Sequence, residues 1–156
     1  MKKLFKKLAT LAMAAVMMVG VGAAAFAVDA GTYDVNATLC KDAAGTQTSM
    51  GNSGIASIEA TFDGNGNVDI TLVSKPVSYD GETGQLDSFT LYDKMGIDYK
   101  ATQNAGDDLT FYITGFPADD FAVGKVLTGE FTSYISIMGT RTGYLRIDGL
   151  TLKPAA

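Results

Sequence analysis

The chain has 156 residues, with 17 acidic against 12 basic side chains and no histidine. The lack of histidine excludes histidine-based catalytic triads, imidazole metal ligands and histidine-ligated haem. An acidic chain repels phosphate backbones and anionic lipid, so the charge balance argues against nucleic-acid binding and against polybasic attachment to a membrane surface.

Residues 1–27 have the pattern of a bacterial secretory signal peptide. Four lysines come first, an apolar run over residues 8–22 follows, and Ala25-Phe26-Ala27 forms a small-x-small cleavage site. Cleavage removes four of the 12 basic residues and none of the acidic ones, which makes the mature chain more acidic. We therefore predict a secreted or extracellular protein with one domain over residues 28–156 and no transmembrane anchor. Association with the cell envelope is an alternative.

The mature sequence reads as short strands separated by Gly, Asn and Asp turns. Alternating apolar residues predict a strand over residues 32–40, a polar loop with one short helical turn over 41–54, and a hairpin around Asp63-Gly64-Asn65-Gly66-Asn67. Further strands are predicted over 86–92, 96–101 and 109–113. Seven or eight such strands without an amphipathic helix indicate an all-β, immunoglobulin-like β-sandwich, with a small barrel as the alternative.

The last predicted hairpin, residues 127–152, carries apolar residues on one face and polar and aromatic residues on the other. A turn over residues 139–143 predicts three facing pairs on the second face, which are Met138 with Tyr144, Ser136 with Arg146, and Tyr134 with Asp148. Such a face is typical of a flat, partly apolar ligand platform with a cationic rim. It is equally typical of an ordinary solvated β-sheet surface.

Three other features resemble functional motifs but have simpler interpretations. The motif Asp63-x-Asn65-x-Asn67-x-Asp69 lacks the glycine and glutamate of a calcium loop, and a hairpin turn is the better interpretation. The adjacent acids Asp107-Asp108 and Asp119-Asp120 are typical of exposed turns rather than of paired catalytic carboxylates. Cys40 is the single cysteine and forms no intramolecular disulfide. We predict no enzyme activity.

Several of these stretches, taken in order, resemble NEAT (near-iron transporter) domains, the haem-binding β-sandwich modules of Gram-positive bacteria. The opening strand of that family reads like Tyr33-x-Val35-x-Ala37-x-Leu39, and a polar loop with a Ser-Met element like Ser49-Met50 follows it. An alanine-bearing strand and an Asp-Gly hairpin, similar to residues 60–67, come next. A threonine-rich strand similar to residues 69–76 continues the match.

The resemblance implies that Ser49 and Met50 form a lip, built as a short 3₁₀ turn, over a groove whose floor is the last hairpin. Haem would lie between the two. The family ligates iron through the first tyrosine of a Tyr-x-x-x-Tyr motif, and the second tyrosine supports it. The second position matches Tyr144, but Thr140 stands at the first, and a threonine hydroxyl is a poor replacement for a phenolate on ferric iron.

Four residues are therefore candidates for the iron ligand. Tyr144 or Tyr134 could supply a phenolate, and Met138 or Met50 could supply a thioether, which favours ferrous iron. Arg146 could meet a haem propionate or pair with a nearby acid.

The sequence thus predicts a non-catalytic module that binds haem, or another tetrapyrrole, for iron acquisition. Its partner would be haem or a haemoprotein. The alternative is a surface or secreted protein-recognition or adhesion module of the same fold that does not bind haem.

Overall fold

The computed structural model describes residues 28–133 and 139–155; the predicted signal peptide and residues 134–138 lie outside this part. Ten strands are found in the described residues: β1 (Gly31–Cys40), β2 (Ile55–Phe62), β3 (Asn67–Ser74), β4 (Val77–Tyr79), β5 (Glu82–Gly84), β6 (Leu86–Tyr92), β7 (Asp98–Lys100), β8 (Thr110–Pro117), β9 (Val126–Ser133) and β10 (Thr140–Leu152). Two 3₁₀ turns accompany them, Met50–Gly54 and Ala118–Asp120. In this part of the chain, no helix has the length and apolar character that crossing a membrane requires.

Eight strands form one antiparallel sheet in the order β7-β6-β9-β10-β1-β2-β3-β8, and β4 and β5 form a separate small sheet. The large sheet curls over on itself, so that strands near its two ends meet. Phe89 of β6 packs edge-on against Phe111 of β8 with ring centroids 5.6 Å apart. An isolated bridge between Thr102 and Tyr112 also links the two outer ends of the sheet. The prediction of an all-β sandwich is confirmed.

The core follows the period of two that a half-buried strand requires. In β3, Val68, Ile70 and Leu72 are at most 2% exposed, while Asp69 between them faces solvent. Full burial of each such side chain contributes about 1.5–3 kcal/mol relative to exposure. Strand alternation of this kind therefore fixes which face of each strand points inward.

The predicted hairpin around Asp63 joins β2 and β3. The Asp63 carboxylate accepts hydrogen bonds from the backbone amides of Asn65 (2.6 Å) and Asn67 (3.1 Å), and these bonds hold its pKa below the usual value. A carboxylate engaged by its own turn acts as a hairpin former, as the sequence indicated.

The last hairpin has a different register from the predicted one. Tyr144 lies opposite Thr128 and Arg146 lies opposite Val126, so the predicted pairing of Tyr144 with Met138 and of Arg146 with Ser136 is wrong. Residues 140–143 belong to β10 rather than to a turn, and Thr140 pairs with Thr132. The physical reason is that Thr140 and Thr142 are β-branched and favour a strand. Gly143 does not form a turn; it leaves space for the ring of Phe131.

The small hairpin of β4 and β5 was not predicted as strands. Its turn is Asp80-Gly81, and both residues have positive φ, 50° and 82°. Asp-Gly is a favoured pair for this tight type I′ connection. The turn signal was therefore present, but two strands of three residues are too short to show a period.

Candidate ligand-binding cleft

A cleft of about 580 Å³ opens at one end of the sandwich, which is within the usual size range of ligand pockets. Three elements line it: the Met50–Gly54 turn, the β4–β5 hairpin, and the ends of β9 and β10 that adjoin residues 134–138. The cleft therefore lies between the predicted lip and the predicted terminal hairpin.

The lip is the 3₁₀ turn Met50–Gly54, in the place the sequence predicted. Ser49 caps it, because its side-chain oxygen accepts a hydrogen bond from the Gly51 amide at 3.1 Å. Two further bonds tie the lip to β1, from the Ser49 amide to the Leu39 carbonyl (2.8 Å) and from the Leu39 amide to the Asn52 side chain (2.8 Å). Met50, held on this anchored turn, lines the cleft and is 58% exposed.

The inner wall of the cleft is the ring of Phe131. This ring stacks on Phe89 with a centroid distance of 5.7 Å and an interplanar angle of 5°. Gly129 and Gly143 lie directly opposite each other on β9 and β10, and a Cβ at either would come within 2.9 Å of the Phe131 ring. The ring therefore separates the core from the cleft and contacts both.

The outer wall is the β4–β5 hairpin. The segment between β3 and this hairpin is tied to the lip by a hydrogen bond from the Lys75 amide to the Gly54 carbonyl at 2.9 Å. All three residues of β4, Val77, Ser78 and Tyr79, line the cleft. A bond between the Ser78 and Thr83 hydroxyls (3.0 Å) spans the two strands of the hairpin.

The lining is mostly apolar and carries positive charge. Lys75 and Arg141 line the cleft, and no acidic residue is found among its described lining residues. Within the described residues the Lys75 ammonium makes no ion pair. In a chain with more acids than bases, this local excess of cations favours an anionic group on whatever occupies the cleft.

The other face of β10 carries Tyr144 and Arg146, and neither lines the cleft. Gly143 and Leu145 are buried on the inner side of the sheet, and neighbouring residues of a strand face opposite sides. Tyr144 and Arg146 therefore lie on the outer side. The Arg146 guanidinium donates to Asp148, to the Gly45 carbonyl and to the Thr38 hydroxyl. The hydrogen bond that the guanidinium donates to the Asp148 carboxylate raises the pKa of Arg146. Of the two roles that the sequence allowed for Arg146, pairing with a nearby acid is the one observed.

The outer face also holds Cys40, which pairs with Tyr144 in register and is fully buried. Burial raises the pKa of its thiol. Its S–H donates to the Thr38 carbonyl, with the sulfur 3.6 Å from the oxygen. In the folded chain this thiol is thus screened from solvent.

The structure therefore divides the predicted site residues. Ser49 and Met50 lie at the cleft, while Tyr144 and Arg146 lie on the opposite side of the sheet. Tyr134 and Met138 are outside the described residues. The Thr140 hydroxyl bonds to that of Thr132 at 2.8 Å. The predicted groove with Met50 on one side and Tyr144 on the other is therefore not found in the part of the chain that the structure describes.

Most of the cleft residues were not identified from the sequence as site residues, among them Lys75, Val77, Tyr79, Phe131 and Arg141. Phe131 lies on the apolar face of the predicted last hairpin, and in the structure it contacts both the core and the cleft. The Asp80-Gly81 turn was the available signal for Val77 and Tyr79, because it predicts a hairpin that starts just after Pro76.

No protein-family model matches this chain, and no curated protein matches its sequence.

Proposed function

We propose that the protein binds haem in the cleft between the lip and the β9–β10 hairpin, as a non-catalytic carrier or receptor for iron acquisition. One observation carries the proposal: the cleft joins an apolar lining to two cations, Lys75 and Arg141, without an acid among its described lining residues. The resemblance to NEAT domains supports the same ligand, since it places haem between a Ser-Met lip and the last hairpin.

The residues of the cleft fit the chemistry of haem. Haem is a flat apolar macrocycle with two carboxylates on one edge, so it needs an apolar wall and a cationic rim. Phe131, Val77 and Met50 provide apolar contact, and Lys75 and Arg141 provide partners for carboxylates. Tyr79 and Met50 also bring an oxygen and a sulfur that could face a metal.

A titration of the purified protein with hemin tests the proposal. We expect a saturable change in the Soret band at micromolar protein. Lys75→Ala should weaken hemin binding about threefold to tenfold, because the lost ammonium is a rim charge in partial contact with water. Lys100→Ala is the matched control, since Lys100 is an exposed lysine on β7 that does not line the cleft.

A second titration uses hemin dimethyl ester, whose carboxylates are blocked. Wild type and Lys75→Ala should bind this ester with equal affinity, because the charge partner of Lys75 is gone. The absence of a saturable Soret change with hemin would contradict the proposal and favour the protein-recognition alternative.

A further inference from the structure

The seven tyrosines of the chain are placed very unevenly with respect to the cleft. Among the described residues, Tyr79 is the one tyrosine that lines it. The others that the structure describes lie elsewhere: Tyr33, Tyr92, Tyr99, Tyr112 and Tyr144. Any phenol that reaches a ligand in the cleft must therefore be Tyr79 or come from residues 134–138.

Three of the tyrosines outside the cleft, Tyr33, Tyr92 and Tyr99, interact with other groups. The Tyr33 hydroxyl donates to the Asp29 carbonyl at 3.1 Å and its ring is buried in the core. Desolvation, together with the carboxylate of Glu130, raises the pKa of Tyr92. The same combination with Asp93 raises the pKa of Tyr99. These surroundings disfavour a phenolate.

Tyr79 has a different environment. It is the last residue of β4, just before the Asp80-Gly81 turn, and 53% of its surface is exposed. It pairs with Glu82 in register, but Glu82 does not line the cleft. The charged side chains that do line the cleft are Lys75 and Arg141.

The hairpin also presents Tyr79 on a defined surface. Gly84, the last residue of β5, is buried and pairs with Val77, and the Asp80-Gly81 turn joins the two strands through two residues of positive φ. The phenol is thereby carried on a short, hydrogen-bonded element beside the lip rather than on a loose loop.

We propose that Tyr79 is the oxygen ligand that the cleft offers to the ferric iron of haem, in place of the Tyr144 that the sequence pattern suggested. This inference rests on the proposed function and names the residue that makes the cleft selective for the metallated ring. Lys75 and Arg141 recognise the carboxylates, so they act on metallated and metal-free porphyrin alike.

The test compares hemin with metal-free protoporphyrin in wild type, Tyr79→Phe and Tyr144→Phe. Tyr79→Phe should weaken hemin binding at least about tenfold and abolish the iron–phenolate vibration in the resonance Raman spectrum of the complex. Its affinity for metal-free protoporphyrin should stay within about twofold, because only the bond to iron is lost. Tyr144→Phe should change neither affinity and keep the vibration, because Tyr144 lies on the other face of the sheet.

Other results separate the two proposals. If wild type binds hemin but Tyr79→Phe keeps the iron–phenolate vibration, the ligand assignment is wrong while haem binding stands, and loss of the vibration in Tyr134→Phe would then identify the ligand. Hemin binding by wild type without any iron–phenolate vibration also overturns the assignment. If wild type binds neither porphyrin, both proposals fail. Unfolding midpoints of each variant establish that the protein remains folded.

Discussion

Gly129 and Gly143 lie opposite each other across β9 and β10, and the ring of Phe131 fills the space where their side chains would stand. A Cβ on Gly129 would lie 2.8 Å from the Phe131 ring and 2.9 Å from the Thr90 carbonyl oxygen. A Cβ on Gly143 would lie 2.9 Å from the same ring and 3.0 Å from Leu39. The glycine pair is therefore what allows Phe131 to seal the core and wall the cleft.

Gly143→Ala should destabilise the protein, because the added methyl group displaces Phe131 or Leu39. Overpacking of this kind costs about 1–3 kcal/mol, which urea unfolding would measure. Hemin affinity should fall in parallel, since the displaced ring forms a wall of the cleft. The control is Gly149→Ala in the same strand, where the new Cβ meets only Asn36 at 3.8 Å. Equal stabilities for the two variants would contradict the packing described here.

Asn52→Ala should loosen the lip. The Asn52 side chain accepts the Leu39 amide at 2.8 Å, and removing it leaves a partly buried donor without its partner. We expect a loss of about 1–2 kcal/mol in the free energy of unfolding. Amide hydrogen exchange should show faster exchange at Leu39.

Ser53→Ala is the control for Asn52→Ala, because the Ser53 hydroxyl bonds only to the exposed Met50 carbonyl within the lip itself. Its effect on stability should stay within about 0.5 kcal/mol. Unchanged exchange at Leu39 in Asn52→Ala would show that the lip is held by other contacts.

Arg146→Ala should release the loop that contains Gly45. The guanidinium connects Gly45, Thr38 and Asp148, so the variant loses several charge-assisted bonds at once. The expected destabilisation is about 1 kcal/mol, because the ion pair is only partly shielded from water. Hemin affinity should be unaffected.

Lys153→Ala removes exposed ion pairs with Glu59 and Asp34 and serves as the comparison for Arg146→Ala. Its unfolding midpoint should match that of wild type. A strong loss of hemin binding in Arg146→Ala, without a change in stability, would instead place the ligand on the outer face of the sheet.

Cys40 should react slowly with thiol reagents in the native protein and rapidly in urea. The thiol is fully buried, and burial raises its pKa, so little thiolate is present at neutral pH. The stabilising effect of the raised pKa is complete below the ordinary cysteine value of about 8.5 and is lost as pH rises through the folded value. The free energy of unfolding of wild type, relative to that of Cys40→Ser, should therefore fall as the pH rises above about 8.5. Rapid native labelling at pH 7 would contradict this.

The sequence predicted most of the fold because the strands alternate strictly. The pattern of Val68, Ile70 and Leu72 identified β3, the Asp63 turn identified the hairpin before it, and Ser49-Met50 identified the lip. The period of two also separated Leu145 from Tyr144 correctly. What the pattern lacked was the register of the last hairpin, because a glycine that makes room for a ring looks in sequence like a glycine that makes a turn.

The candidate site was harder to predict for a related reason. A polar and aromatic face suggested that the ligand would lie on the outer side of β10, with Tyr144 and Arg146. The cleft instead continues the inward face, where Arg141, Gly143 and Phe131 follow Leu145 and Leu127 toward the end of the sheet. Sequence alternation shows which side chains share a face, but not where the opposing layer ends and leaves that face open.

The bridge between Thr102 and Tyr112 affects how the molecule behaves in a crowded solution. Both polar backbone groups of Tyr112 are bonded to Thr102, at 2.8 and 2.9 Å, so the middle of the β8 margin is already paired. The margin at the other end of the sheet, β7, offers only three residues. A strand from a second molecule therefore cannot pair with Tyr112 and finds only three residues on β7, which limits edge-on aggregation at these two places.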